Sequence, residues 1–393
     1  MQSFDDVSTI LRAAAQPLGA VTVPVAAAAG HVLAGDVTAR LDAPRTAVSV
    51  MDGYAVRAVD LPGPFRLVGT APAGTAEALS LSPGEAVRIF TGAPLPAGAD
   101  RVLVQEIVSA EDGQARLVGQ LGDDPFIRAQ GSDFAAGAVL LHAGEAIDHR
   151  NIVLLAASDR AAVRVWRRPR VAIIATGDEL AEPGTALETP GALPESVTLG
   201  VAALASSWGA AVIERRILRD DPALIAATGA ELAALCDVLV IIGGASVGDR
   251  DFARHVVPQG GYSPLFEKAA IRPGRPIWAA KGGPGQYVLG LPGNPTSALV
   301  TARLFLAPLL HALGGGDYAA ALDWVEAPLA RPLPPAGGRE HFARGIIEGG
   351  RAIPFDDQRS SAQATLARAS VLIRQAAGSA AQPAGSSLPC LRL

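Results

Sequence analysis

The stretch IIGGASVGDRDF at 241–252 sets a glycine-rich backbone beside two carboxylates, Asp249 and Asp251. Gly243, Gly244 and Gly248, with Ser246 among them, let a ligand approach the main chain and let successive N–H groups converge on an anion such as a phosphate. Carboxylates at the lip would repel that anion unless one of them holds a divalent cation against the phosphate oxygens, and hard oxygen donors suit Mg²⁺. Metal-assisted handling of a phosphate ester is one reading of this loop. A strand-to-helix turn with a solvated charged tip is the other.

Acids recur beside glycines in SVMDGYAV (49–56), IFTGAPLPAGAD (89–100), GSDF (131–134), ATGDEL (175–180) and near them in RDD (219–221). ATGDEL and GGASVGDRD each follow an apolar strand, and in open sheets ligands bind beyond the carboxyl ends of the strands. Asp178 or Glu179 is therefore expected to meet Asp249 or Asp251 in one crevice. The basic side chains of FEKAAIRPGRPIW (266–278), Lys268, Arg272 and Arg275, are spaced so that a strand and a turn can present them together. One ammonium and two guanidiniums suit a phosphate or another tetrahedral oxyanion, although an exposed basic turn has the same spacing. LPGNPTSA (291–298) brings a strand end, a rigid turn and a helix start with Thr296 and Ser297 in its first turn, which serves either anion binding or the setting of the helix angle.

The elements that position these groups are legible from periodicity. From 170 to 312, apolar runs RVAIIA (170–175), AAVIERRI (210–217) and DVLVII (237–242) alternate with helical segments, the rhythm of a mostly parallel sheet. Asp221 followed by Pro222 starts a helix at 222–235. Further strands are expected at 276–280 and 287–291, and a helix at about 295–312. The uncharged stretch 196–213 is long enough to raise a membrane span, but Ser206, Ser207 and Gly209 divide it into a helix, a turn and a strand that an α/β layer buries from both sides. The resulting fold class is multidomain α/β plus β. A three-layer α/β domain occupies 169–325, a small β module is inserted at 53–146, a helix and extended segments occupy 1–52 and 147–168, and a small β domain occupies 326–393. EAPLARPLPPAGG after 325 reads as a linker, because its prolines fit neither helices nor central strands.

Composition narrows the function classes. The chain has 393 residues, 49% of them hydrophobic, and a net charge of −5 without a basic run, which argues against nucleic acid as a partner. Its two cysteines suggest neither a disulfide framework nor a metal knuckle, and the acidic start MQSFDDVSTI argues against export, so a cytoplasmic protein without membrane attachment is expected. The six histidines are scattered without metal-ligand spacing.

In this order, SVMDGYAV, FTGAPLPAGAD, ATGDEL, RDDP, GGASVGDRDF, IRPGRP and LPGNP closely resemble the molybdopterin molybdenumtransferase family, the bacterial MoeA proteins and the gephyrin E domain. The resemblance spans about residues 5 to 375. It implies a homodimer with composite active sites and the Mg²⁺-dependent insertion of molybdate into adenylylated molybdopterin, with release of AMP. The protein partners it implies are a molybdopterin adenylyltransferase and molybdoenzyme apoproteins.

By motif matching, Asp52, Thr91, Glu179 and Asp251 fall at catalytic positions, with Glu179, Asp251 and Asp249 as metal ligands. Asp133, Asp220, Lys268, Arg272, Arg275 and Ser360 fall at substrate-binding positions, and Gly243, Gly244, Ser246 and Gly248 form the cradle for the pterin or adenylate phosphates. Asp52 and Thr91 are implied to act from the partner chain. The sequence departs from the family at Glu195-Ser196-Val197, where Asp or Asn, Ser or Thr, and then Asn are usual. It departs again at Arg359-Ser360-Ser361, in place of a Gly-Ser turn, and in using arginines for the family's basic pair. The alternative function is a non-catalytic molybdopterin-binding or scaffold paralogue of the same fold.

Overall fold

RVAIIAT is apolar and rich in β-branched residues, and it forms the strand Arg170–Thr176 of a six-stranded sheet in the computed structural model, which describes residues 1–74, 79–243 and 261–393. The strand order is Ala211–Leu218, Arg170–Thr176, Val238–Ile242, Tyr287–Leu291, Trp278–Lys281 and Ser263–Phe266. The first four run parallel, and Trp278–Lys281 pairs antiparallel with Tyr287–Leu291 on one side and with Ser263–Phe266 on the other. Val238–Ile242 and Tyr287–Leu291 are buried at every position, as expected of strands covered on both faces. Helices Val197–Ser207 and Pro295–Leu313 contribute to the core on one face, and Pro222–Ala233 packs on the other, giving three layers.

Two strand expectations need correction. Ala211–Leu218 lies at the sheet edge and is only partly buried, so it is not covered from both sides. Ser263–Phe266 is a further strand, disguised in the sequence by Pro264. Asp221 caps Pro222–Ala233 as anticipated, its Oδ1 accepting from the Ala223 and Leu224 amides at 2.8 and 3.2 Å. Among the described residues, the helix long and apolar enough to cross a bilayer is Pro295–Leu313, and it is the buried core helix of this layer.

The β-rich stretch forms a second six-stranded sheet, in the order Arg101–Val104, Gly53–Val56, Glu85–Ile89, Phe65–Ala71, Gln114–Leu117 and Val108–Glu111. Ala20–Pro24 pairs antiparallel with Ala162–Trp166, so the segments before and after this stretch run side by side.

A third six-stranded sheet is C-terminal, with Ile271–Arg272, Glu340–Glu348, Val371–Gln375, Ser387–Arg392 and Trp324–Pro328 in order and Arg351–Pro354 beside Glu340–Glu348. The expected linker after 325 thus begins as an edge strand. Pro328 closes that strand, and Pro389 on its neighbour lies just past the last residue paired with Val371–Gln375, where its missing N–H costs no ladder bond.

Phe4 ties these parts together. The helix Phe4–Ala14, capped by Ser3, buries Phe4, Val7 and Leu11 along one face. The Phe4 ring meets Phe305, Trp324 and Phe342 at centroid distances of 5.5, 5.9 and 5.3 Å, joining the N-terminal helix, the α/β core and the C-terminal sheet. Truncating such a ring to alanine costs about 3–5 kcal/mol.

Candidate active site

From Arg170–Thr176 the chain steps outward to Ala211–Leu218 and then back across to Val238–Ile242 on the other side. This reversal leaves a crevice beyond the carboxyl ends of the strands. Its volume is about 730 Å³, and its lining includes Thr176, Glu179, Asp220, Gly243 and Asn294. The Gly177 N–H donates to Leu218 O at 3.1 Å and the Gly243 N–H to Leu291 O at 3.2 Å, which fastens neighbouring strand ends together. Gly243 has φ +91°, and a Cβ there would lie 2.8 Å from Thr176 O, so only glycine fits. Thr176 Oγ1 is buried beside it with no hydrogen-bond partner among the described residues. An unsatisfied buried hydroxyl in a cavity wall is a group a polar ligand would complete.

Glu179 is exposed and Asp220 is half-buried at this crevice. The Asp220 N–H donates to Asp178 Oδ1 at 3.2 Å, so Asp178 serves the turn that carries Asp220. Gly244, Ser246, Gly248, Asp249 and Asp251 lie outside the described residues. Leu180–Ala181 pairs in parallel with Leu193–Pro194, and the Leu193 N–H donates to Glu179 O at 2.7 Å. Next comes Glu195, a buried carboxylate whose Oε1 accepts from the Val197 and Thr198 amides at 2.7 and 2.8 Å. Glu195 thereby caps the helix Val197–Ser207, while Ser196, at the N-cap position, makes no side-chain capping bond. Val197 lines the crevice and is also 6% exposed within the core.

Asp52 and Thr91 meet in the β-rich sheet because Gly53 is in register with Ile89. Asp52 Oδ1 accepts from the Thr91 N–H and from its hydroxyl, both at 2.8 Å. These bonds, the backbone one first, hold the carboxyl below its usual range. Asp133 is exposed, its N–H donating to Ala43 O at 2.9 Å.

The basic residues separate. Ile271–Arg272 runs parallel to Glu340–His341, so Arg272 belongs to the C-terminal sheet and lines a cavity of about 670 Å³ with Arg331, His341 and Arg359. Lys268 lines a smaller hollow beside Met1 and Gln2, while Arg275 is exposed and lines neither. Ser360 is half-buried next to Arg359. Burial, followed by the nearby Arg272 charge, pushes the His341 imidazole down to about 4, so it stays neutral; of the cavity's arginines, Arg331 pairs with Asp356 at 3.2 Å and Arg359 with Asp357 at 2.7 Å.

Residues 2–158 match the MoeA N-terminal region (domain I and II), and residues 172–312 match a probable molybdopterin binding domain. The chain is 36% identical to molybdopterin molybdenumtransferase 2 of Mycobacterium tuberculosis over 84% of its own length and 83% of the relative's. It is 37% identical to a molybdopterin molybdenumtransferase of Nostoc sp. over 74% and 68% of the two chains. The chain belongs to the molybdopterin molybdenumtransferase family. It superposes on the crystal structure of the molybdopterin biosynthesis MoeA protein from Pyrococcus horikosii with a TM-score of 0.84 and 27% identity, covering 99% of this chain and 98% of that one.

As a molybdopterin molybdenumtransferase, the protein is a transferase of molybdenum cofactor biosynthesis. Two roles around its cavities carry no sequence motif. The cap supplied by Glu195 is one, since glutamate is not a preferred capping residue. Arg344 is the other: it is fully buried, donates to Gln358 Oε1 and to Arg359 O at 3.2 and 3.0 Å, and so shapes the wall behind Arg359. Arginine inside the strand Glu340–Glu348 is the signal that could have found it, because strands rarely bury an unpaired guanidinium.

Proposed function

We propose that this molybdopterin molybdenumtransferase inserts molybdate into adenylylated molybdopterin, with Mg²⁺ assistance and release of AMP. The observation that carries the reading is the crevice where Thr176, Gly243 and Asn294 converge with Glu179 and Asp220 at the switch point of the sheet. Gly243 lets the ligand approach the backbone closely, and Thr176 Oγ1 offers it a hydroxyl with no partner among the described residues. Gly244, Ser246 and Gly248, outside the described residues, are further phosphate-binding candidates. Arg272, with Arg359 on the same cavity wall, supplies guanidinium donors for the molybdate dianion, and Lys268, Arg275, Ser360 and Asp133 are further substrate-binding candidates.

The donor set of the crevice fits Mg²⁺. Glu179 and Asp220 are hard oxygen donors, no cysteine or histidine is among the described residues that line the crevice, and Mg²⁺ characteristically takes one or two carboxylates together with waters and phosphate oxygens. Among the described residues no group of three or more His, Cys, Asp or Glu forms a closed metal cage, so the protein would supply part of the shell through Glu179 and Asp220, joined by Asp249 or Asp251. When bound, the ion would neutralise charge on the adenylyl phosphate. Asp52, kept ionised by Thr91, is a fixed negative group, and we assign it with Thr91 to a composite site completed across a homodimer. Molybdopterin adenylyltransferase and molybdoenzyme apoproteins are the proposed supplier and recipient.

The test is incubation with adenylylated molybdopterin, Mg²⁺ and molybdate while AMP is measured. Molybdate-dependent AMP release is expected. Binding of the pterin without any release would replace this reading with the non-catalytic scaffold.

A further inference from the structure

Glu195 is a carboxylate with a side chain only 1% exposed, at the edge of the crevice but turned away from it into the protein. Burying a charge is costly unless every lone pair is engaged. Here the engagement is complete: Oε1 takes the Val197 and Thr198 amides, and Oε2 takes the Thr198 hydroxyl and faces Arg215 Nη1 at 3.6 Å. Arg215 also donates to Thr198 Oγ1 at 3.0 Å and to both Glu182 oxygens at 3.1 and 3.0 Å. Glu182 follows directly on the segment Leu180–Ala181, to whose Ala181 O the Glu195 N–H donates at 2.8 Å. The loop 177–195 is therefore closed at its base by two backbone bonds and strapped to the strand Ala211–Leu218 by Arg215. Glu179 is the carboxylate that this closed loop holds at the crevice.

We propose that Glu195, with Arg215, is a positioning residue for Glu179: it touches no substrate and fixes the backbone from which Glu179 meets the divalent cation. The inference rests on the functional reading above in taking Glu179 as a cation ligand. A cap that served only stability would give the same structure, so the test must read cation binding directly. The network also gives the Val197 and Thr198 amides at the N-terminus of Val197–Ser207 to an internal carboxylate instead of a ligand anion.

The experiment measures Mn²⁺ affinity by electron paramagnetic resonance on the full chain, with backbone amide exchange as the readout of the clamp. Removing an outer partner of a metal ligand typically costs about ten- to a hundredfold in metal affinity. Glu195→Ala and Arg215→Met should each weaken Mn²⁺ by about tenfold or more and speed exchange at Leu193 and Thr198, with pterin affinity changed less than about twofold. Glu195→Gln, which keeps the amide acceptor but loses the charge, should fall between parent and alanine, and it serves if alanine does not fold. In a Glu179→Gln background Glu195→Ala should add no further loss of Mn²⁺ affinity, because residues acting through one another are non-additive. Unchanged Mn²⁺ affinity in well-folded Glu195→Ala or Arg215→Met overturns the inference, whatever the turnover. A parent that binds Mn²⁺ but never releases AMP overturns the functional reading instead, and the Mn²⁺ comparison still decides the role of Glu195.

Discussion

The carboxylate of Asp52 is held at one oxygen by both donors of Thr91, the amide and the hydroxyl, each 2.8 Å away. Asp52 is half-buried and Thr91 exposed, so the pairing holds an ionised group at the protein surface. Replacing the hydroxyl while leaving the amide, as in Thr91→Val, should raise the Asp52 titration part of the way back to its usual range. Carboxyl-carbon NMR across the acid range measures this, and an unshifted midpoint would mean that the hydroxyl bond does not form in solution.

Asp52 and Glu179 lie on different layers, and their assignment to one composite site makes complementation the expected outcome. Asp52→Ala and Glu179→Gln chains, each inactive alone, should recover about a quarter of parental AMP release when mixed and allowed to exchange, since half the dimers would be mixed and each would carry one intact site. No recovery despite exchange proven by mass spectrometry would put both residues in the same site of one chain.

Gly243 sits where a Cβ would lie 2.8 Å from the Thr176 carbonyl oxygen, with φ +91°. Gly243→Ala should therefore cost about 1–3 kcal/mol of stability, seen as a lower urea midpoint, and should weaken adenylylated molybdopterin binding in calorimetry. Retained stability together with retained affinity would show that the backbone here shifts freely.

His341 gives a pH prediction with a defined sign. Its imidazole is pushed down to about 4 by burial and then by Arg272, whereas in the unfolded chain it takes a proton near pH 6.5. The unfolded state therefore binds more protons between these values, and stability is full above about pH 6.5 and declines as pH falls toward about 4. Urea unfolding from pH 7.5 to 4.5 should show a steeper acid loss for the parent than for His341→Gln. Parallel curves would mean that the histidine takes up its proton in the fold as it does in the unfolded chain.

Val197 offers its N–H to Glu195 and its side chain to the core, so an asparagine there would have to satisfy a largely buried amide. Val197→Asn is expected to lose about 1–3 kcal/mol of unliganded stability and to regain part of it when adenylylated molybdopterin binds. Thermal unfolding with and without the ligand reads both effects. An equal ligand-induced shift in parent and variant would show that the position makes no contact with the pterin.

Much of this architecture can be read from local pattern. The runs at 170–176, 238–242 and 287–291 are legible because strands buried on both faces need nearly continuous apolar residues, and Ser3 and Asp221 announce helix starts through their own hydrogen bonds. The Asp52–Thr91 pair is not legible, because it depends on the register of two strands and not on either motif. Arg272 was expected to join Lys268 and Arg275, but the two-residue strand that carries it pairs with Glu340–His341, a long-range choice that leaves no periodic signature. The prolines after 325 suggested a linker, since whether a missing N–H matters depends on which strand edge it faces. The cap supplied by Glu195 escaped because that longer side chain reaches forward past Ser196, a reach that a short capping residue lacks.

The borrowed strand Ile271–Arg272 limits how this chain can be divided. A fragment cut to begin at Trp324 would carry most of the C-terminal sheet, yet it would leave the main-chain groups of Glu340 and His341 that Ile271–Arg272 normally covers open along an unprotected edge. Open edges recruit other chains, so such a fragment favours strand exchange and precipitation over independent folding. A circular permutant that opens the chain between Arg272 and Trp324 faces the same demand, and must still deliver 271–272 to that edge.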